Sequence, residues 1–356
     1  MGPTNKKVYI ATFINALNYG AVLQAYALGQ YIKSLGYEVQ YLGMQNAPKI
    51  STPSGILKKI FFKLVAKKRI EKKRDAFCAF KDKYCSAPIC VNGESILVCG
   101  SDQIWNIEIT KGFDNCFFGQ GFKKAISYAA SCGEVDTLKK HKTEFKTKLD
   151  NFTALSTRER DLSDFIVSLS GKECPVVCDP TMLIVKDDYA KLEKITTKEK
   201  YLLIYQMNKS DYLYKVAKHI AKKKFLKIIE INNNLYDYKF HGHKTYYSCS
   251  PEKFLSLIKN ASFIVTNSFH GTVFSLIYEK PFTVVKSQSR NSRIVELCER
   301  FSVENKIIDT GAALDSIDLS PIDYDVIERK MYCFAEESKQ YLSISLKKME
   351  ENDVQQ

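Results

Sequence analysis

The sequence predicts an α/β protein with two parallel sheets, each covered by helices, and a cleft between them. Three observations carry that prediction. Apolar runs rich in β-branched and aromatic residues alternate with helix-period segments from one end of the chain to the other. The 356 residues, 45% hydrophobic and 26% charged, suffice for two buried cores rather than one. The strands fall into two sets separated by the polar stretch 186–200. The expected division is an N-terminal Rossmann-like domain over 1–185, a second over 186–320, and a helix over 321–356 that packs across both.

In the first set, strands are expected at 7–13 (KVYIATF), 38–43, 96–99, 125–130, 153–158 and 175–178. In the second they are expected at 201–207 (YLLIYQM), 227–231, 262–266 and 281–286. Helical patterns fall between them at 20–35, 55–83, 137–150, 160–170, 211–224, 252–260, 270–279 and 291–301, and a last long one covers 323–350. The chain shows no internal repeat and no low-complexity tract.

Composition narrows the function classes. Of the formal charge of +13, residues 55–84 alone carry +8. One basic segment, placed with the N-terminal domain, therefore needs explaining, and a generally basic nucleic-acid binder is disfavoured. The eleven cysteines show neither paired metal spacing nor the density of a small disulfide scaffold. Cys99, Cys178 and Cys298 lie in apolar runs, as free thiols in a reducing cytoplasm would. The start of the chain runs straight into a strand without a signal peptide. The uncharged stretch Asn260 to Tyr278 contains Asn267, Ser268 and His270 and fails as a membrane span. A cytoplasmic protein, soluble or peripheral on the inner face of the membrane, is the expectation.

Ligands of α/β sheets bind at the carboxyl ends of strands, and four such ends carry chemistry. The first strand leads into Asn18-Tyr19-Gly20, where Gly20 allows close backbone approach; the alternative is a tight turn with Asn as helix cap. The third ends in Gly100-Ser101-Asp102-Gln103-Ile104-Trp105-Asn106. There the chain's single Trp beside polar side chains makes either a sugar platform or a buried Trp with an Asx-type turn. Strand 153–158 ends in Arg158, whose guanidinium is suited to a carboxylate or phosphate, unless it is a solvated charge at a helix start. Strand 262–266 ends in Asn267-Ser268-Phe269-His270-Gly271, which puts His270 at a helix N-terminus beside backbone donors. Lys286, Arg290 and Arg293 follow strand 281–286 and supply further cations.

NYGAVLQAYAL (18–28), GSDQIWN (100–106), the Arg158 segment, CDPTMLI (178–184) and TNSFHGTVFSLIYEKPF (266–282), in this order, resemble the polysaccharide pyruvyl transferase family. The resemblance covers roughly residues 6–300. It implies the two-Rossmann GT-B glycosyltransferase architecture. It also implies an enzyme of bacterial capsule or exopolysaccharide synthesis that uses phosphoenolpyruvate and turns two sugar hydroxyls into a cyclic pyruvate ketal, releasing phosphate. The acceptor it implies is a galactose-type residue bridged at O4 and O6.

Carried over by position, the resemblance makes His270 catalytic and Arg158 donor-binding, with Ser268, Gly271, Lys286, Arg290 and Arg293 around the donor. Many members carry Arg two residues before the His, where this chain has Ser268. Asp102 is expected to orient or deprotonate the acceptor diol, with Asn18, Tyr19, Gly20, Gln103 and Trp105 around the sugar. No metal and no cofactor beyond the co-substrate phosphoenolpyruvate are expected.

Between Ile56 and Val65 the apolar residues Ile56, Leu57, Ile60, Phe61 and Leu64 share one helical face and Lys58, Lys59 and Lys63 lie on another. Residues 55–74 therefore read either as an interfacial helix on anionic lipid, serving a polyprenyl-diphosphate-linked acceptor, or as a helix packed on its own sheet. The rival functions are a glycosyltransferase with a sugar-nucleotide donor, for which Glu279 and Lys280 are available, and a non-enzymatic binder that docks through the basic helix.

Overall fold

A computed structural model describes residues 6–43, 62–88, 90–193, 199–237, 241–286 and 292–351. The chain forms two compact units. One comprises Met1–Pro48, Lys81–Ile184 and Met331–Gln356, and the other Lys49–Phe80 and Val185–Lys330.

The first unit is built on a parallel sheet of β1 (Lys7–Ala11), β2 (Glu38–Leu42), β3 (Ile96–Cys99), β4 (Lys124–Ser127) and β5 (Phe152–Ala154), in the order β2-β1-β3-β4-β5. Its strands read as near-continuous apolar runs because helices cover both faces. The helices here are α1 (Tyr19–Ser34), the end of α2 (Lys67–Tyr84), the short α3 (Ile107–Thr110) and α4 (Val135–Lys139), then α5 (Lys142–Leu149) and α6 (Arg160–Ser170). Leu97, Trp105, Phe117, Phe118, Phe145 and Leu162 form the centre of its core.

The second unit has β6 (Tyr201–Gln206), β7 (Lys227–Asn232), β8 (Lys244–Tyr246), β9 (Phe263–Thr266), β10 (Phe282–Val285) and β11 (Ile307–Ile308) in the order β11-β10-β9-β6-β7-β8. All of these pairs are parallel. This is the doubly wound dinucleotide-fold order, and the sheet reverses direction of growth between β6 and β9. Its helices are α7 (Lys186–Ala190), α8 (Asp211–Lys224), α9 (Pro251–Lys259), α10 (Phe269–Ile277) and α11 (Ser292–Arg300). The long α12 (Tyr324–Glu351) groups with the second unit as far as Lys330 and with the first from Met331 onward.

Several expectations need correcting. The pattern at 137–150 is two helices, broken at Lys140 and His141. The run 175–178 is one bridge at Val176 rather than a strand, and the ends of the 125–130 and 153–158 runs continue only as bridges at Ala130 and Thr157. The two short strands β8 and β11 were too brief to show a period-2 signal. The basic segment, expected with the first domain, groups up to Phe80 with the second. Packing partners decide this: Arg69 Nη1 donates to the carbonyls of Leu235 (3.4 Å) and Asp237 (2.6 Å), and Lys73 Nζ donates to Asn233 Oδ1 at 3.1 Å. Along α2, Ile70, Phe77 and Phe80 are buried while Lys67, Lys68, Lys72 and Arg74 are exposed. The described part of the basic segment is thus a packed helix with a solvated basic face. Lys58 and Lys59 lie outside the described residues.

Candidate active site

In the first unit, the crevice at the carboxyl ends of β1 and β3 marks the point where the sheet grows in both directions. Gln24 ties its two loops together. Its Nε2 donates to Thr12 Oγ1 (2.7 Å), and its Oε1 accepts from Ser101 N (3.1 Å). Thr12 Oγ1 donates in turn to Ser101 O, and Ser101 Oγ to Ala129 O. A buried amide so fully used holds Asp102 in place. Asp102 has φ +74°, a region that Asp enters more readily than most residues, and its Oδ1 accepts from Gln103 N at 2.8 Å. It is the half-exposed carboxylate of this loop.

Arg158 lies at the next strand ends, donating from Nε to Glu159 Oε1 (3.2 Å) and from Nη1 to Asp179 Oδ2 (2.9 Å). Asp179 also accepts from Thr181 N and Oγ1. Burial works against the guanidinium charge, but Glu159, Asp179 and Asp102 outweigh it and hold Arg158 above its ordinary value. Three carboxylates thus share one cation, and the local field disfavours binding an anion.

In the second unit, the switch point lies between β6 and β9. Asn267 closes it, accepting from Met207 N (2.8 Å) and donating to Asn208 O (2.7 Å). Thr266 Oγ1 donates to Tyr205 O and accepts from Ser268 N. Ser268 then caps α10, its Oγ accepting from Gly271 N at 3.2 Å. Gly271 is required sterically, since a Cβ there would stand 2.3 Å from Thr266 Oγ1. These contacts seat the start of α10 against the strand ends with His270 in its first turn. The His270 ring is 8% exposed and meets Phe269 edge to face. The helix α11, which carries half-buried Arg293 in its first turn, packs against α10.

Beside this switch point, sequence reasoning missed a buried polar cluster. Glu230 is fully buried on β7 and accepts from Tyr214 OH (2.6 Å) and Gln206 Nε2 (3.2 Å); His243 Nε2 is 2.9 Å away. His241 Nε2 lies 2.7 Å from Asp237 Oδ2 and stacks on Tyr214. Burial pushes the Glu230 carboxyl up, yet the hydrogen bonds from His243, Tyr214 and Gln206 leave it below the usual carboxylate range. The available signal was a Glu inside the apolar strand KIIEIN, followed by two histidines spaced His-Gly-His. Gln24, inside AVLQAYAL, carried the same kind of signal.

The family model for polysaccharide pyruvyl transferase matches residues 18–289. The chain belongs to that family. No curated protein matches it. Among solved structures, this chain is similar to the UDP-GlcNAc 2-epimerase from Neisseria meningitidis. The two share 10% identity over 96% of this chain and 100% of that one, with a TM-score of 0.50. A mutant O-GlcNAc transferase from Thermobaculum terrenum aligns at 10% identity over 98% of this chain and 69% of its own, with a TM-score of 0.48. Likeness at such identity concerns fold alone, and this chain forms two parallel-sheet α/β units with a C-terminal helix.

Several expected site residues already have partners within the fold. Trp105 is no sugar platform: it is fully buried, donates from Nε1 to Phe117 O (2.9 Å) and stacks on Phe118. Tyr19 is likewise fully buried. Asn18 spends its carboxamide oxygen on the amides of Gly20 (2.9 Å) and Ala21 (3.4 Å), so the capping alternative holds. Gln103 Oε1 accepts from Asn106 at 3.2 Å within its own loop. The Gly271 amide is used by Ser268, and Arg158 by carboxylates. Lys286 Nζ pairs with Asp309 at 3.0 Å. Arg290 lies outside the described residues. The structure does place Asp102 and His270 each at a sheet's switch point.

Among the described residues, no cluster of His, Cys, Asp and Glu has the arrangement to hold a metal ion, and no helix is long and apolar enough to cross a membrane. Glu279, available to the sugar-nucleotide rival, follows the C-terminal end of α10 and pairs with Lys186 there, at the opposite end of the helix from His270.

Proposed function

We propose that the protein transfers pyruvate from phosphoenolpyruvate to two hydroxyls of one sugar, forming a cyclic ketal and releasing phosphate. The acceptor in this reading is a galactose-type residue of a capsular or exopolysaccharide precursor carried on a polyprenyl diphosphate. The observation that carries the reading is His270 in the first turn of α10, at the switch point of the second sheet, in a chain of the pyruvyl transferase family.

In the proposed reaction C3 of phosphoenolpyruvate takes a proton and becomes a methyl group. C2 forms bonds to two sugar oxygens and loses its bond to the phosphate oxygen. Of the two hydroxyl protons released, one balances the proton taken by C3 and the other leaves with phosphate. His270 is the group placed to give the proton to C3, or to take one from a hydroxyl, and such a positioned group contributes about 10²–10⁴-fold. Asp102 is the acceptor-side base, with the surrounding Glu159 and Asp179 disfavouring an anion there. Lys286 and Arg293, following β10, are the donor-side cations.

The test is phosphate release from phosphoenolpyruvate across a panel of acceptor glycosides. Release should require both substrates and should fall by about 10²–10⁴-fold in His270→Ala, with the melting temperature nearly unchanged. A variant rate close to wild type would remove His270 from the mechanism. Stabilisation of the protein by sugar nucleotides and not by phosphoenolpyruvate would favour the glycosyltransferase instead.

A further inference from the structure

A cavity lies within the second unit, and none of its lining residues belongs to the helix that carries His270. Its volume is about 690 Å³, within the range of small-molecule sites. One wall is the start of α2 and the turn before it, with Leu64, Val65, Lys68, Arg69, Lys72 and Ala76; the other runs from Thr245 to Ser250, with Lys253. The described lining contains four cations and no carboxylate.

The cations are arranged rather than scattered. Lys68 and Lys72 stand one helical turn apart and are both exposed, and among the described residues neither has an ion-pair partner. The Arg69 guanidinium lies 3.5 Å from the centroid of the Tyr247 ring, and Lys253 Nζ 3.9 Å from that of Tyr246. Ser248 Oγ donates to Arg69 O at 2.7 Å, which fixes one wall to the other. At one end the character changes: Leu64 is 69% exposed and adjoins Val65, an aliphatic lip one turn before Lys68. Exposed leucine beside a pocket of unneutralised lysines suits a ligand with an anionic head and an apolar remainder.

We infer that this cavity binds a phosphate or diphosphate group, with the apolar part of its bearer lying along Leu64 and Val65. The same head-group chemistry reaches the protein from two sources, a lipid-linked phosphate or a free one. Occupancy does not depend on pyruvyl transfer, so failure here leaves the reading of His270 standing, and the reverse also holds.

The test is direct binding by calorimetry, with inorganic pyrophosphate, farnesyl diphosphate and farnesol as probes. Both diphosphates should bind and farnesol should not, and added salt should weaken the binding. The double variant Lys68→Ala/Lys72→Ala alters exposed side chains only. It should keep the wild-type circular dichroism and the wild-type phosphate release with a soluble glycoside, yet bind diphosphate about tenfold or more weakly. Tighter binding of farnesyl diphosphate than of pyrophosphate supports the lipid-linked source and the apolar contact, and equal binding overturns the contact at Leu64 and Val65. No heat with either diphosphate, or equal affinity in the folded variant, would overturn the assignment.

Discussion

At the scale of single residues, Lys73 bears the clearest electrostatic strain. Its ammonium is almost wholly buried, and burial lowers its pKa to about 8. Between pH 8 and the unfolded value of about 10.4 the unfolded chain holds more protons than the folded one, so this group makes stability rise with pH. Below pH 8 both states are protonated and the cost is constant, about 3 kcal/mol. Lys73→Met should therefore gain most over wild type near neutral pH, less the bond to Asn233. The gap should close by about 3 kcal/mol as the pH approaches 10.4. Urea unfolding of both proteins across that range checks it, and a pH-independent gap would refute it. That His270 and Asp102 follow strand ends was legible from the sequence, because polar groups after apolar runs stand out in one dimension. Residue identity misjudged Trp105 and Arg158, because whether a ring or a guanidinium faces solvent depends on neighbours such as Phe118 and Asp179, remote or unremarkable in sequence.

At the scale of elements, the start of α10 illustrates how local chemistry places a functional group. Ser268 serves as the N-cap, its hydroxyl oxygen accepting from the Gly271 amide, a bond that a side chain without an acceptor does not make. Ser268→Ala should cost about 1 kcal/mol in urea unfolding and lower phosphate release, because the turn that orients His270 loosens. Ser268→Asn, which keeps an acceptor oxygen, should recover most of the stability; equal stability of the alanine variant would show that the cap is dispensable. Helices with strong periodicity, such as 160–170 and 211–224, were legible to the residue. The two-residue strand β11 was not, because so short a run has no period of its own.

For the molecule as a whole, the final helix is part of the first unit's core rather than an appendage. Leu342, Leu346 and Met349 are buried, Ser338 Oγ accepts from Cys178 N (2.9 Å), and Tyr341 OH donates to Ser127 O (2.9 Å). Burying three such apolar side chains is worth about 1.5–3 kcal/mol each, comparable with the about 5–15 kcal/mol that keeps a domain folded. A chain ending at Lys330 should lose the protease resistance of the first unit, and limited proteolysis followed by mass mapping will show it. Survival of Met1–Pro48 and Lys81–Ile184 as resistant fragments would contradict this role.

By itself the sequence determined the alternation of strands and helices, the two sheets, the family, and which strand ends carry polar residues, since all of these rest on local pattern. Tertiary structure alone decided that the basic helix packs with the second unit, that Arg158 answers to carboxylates, and that His241 and His243 meet buried acids. Those outcomes depend on which distant groups share a low-dielectric neighbourhood, and no spacing along one chain encodes that directly.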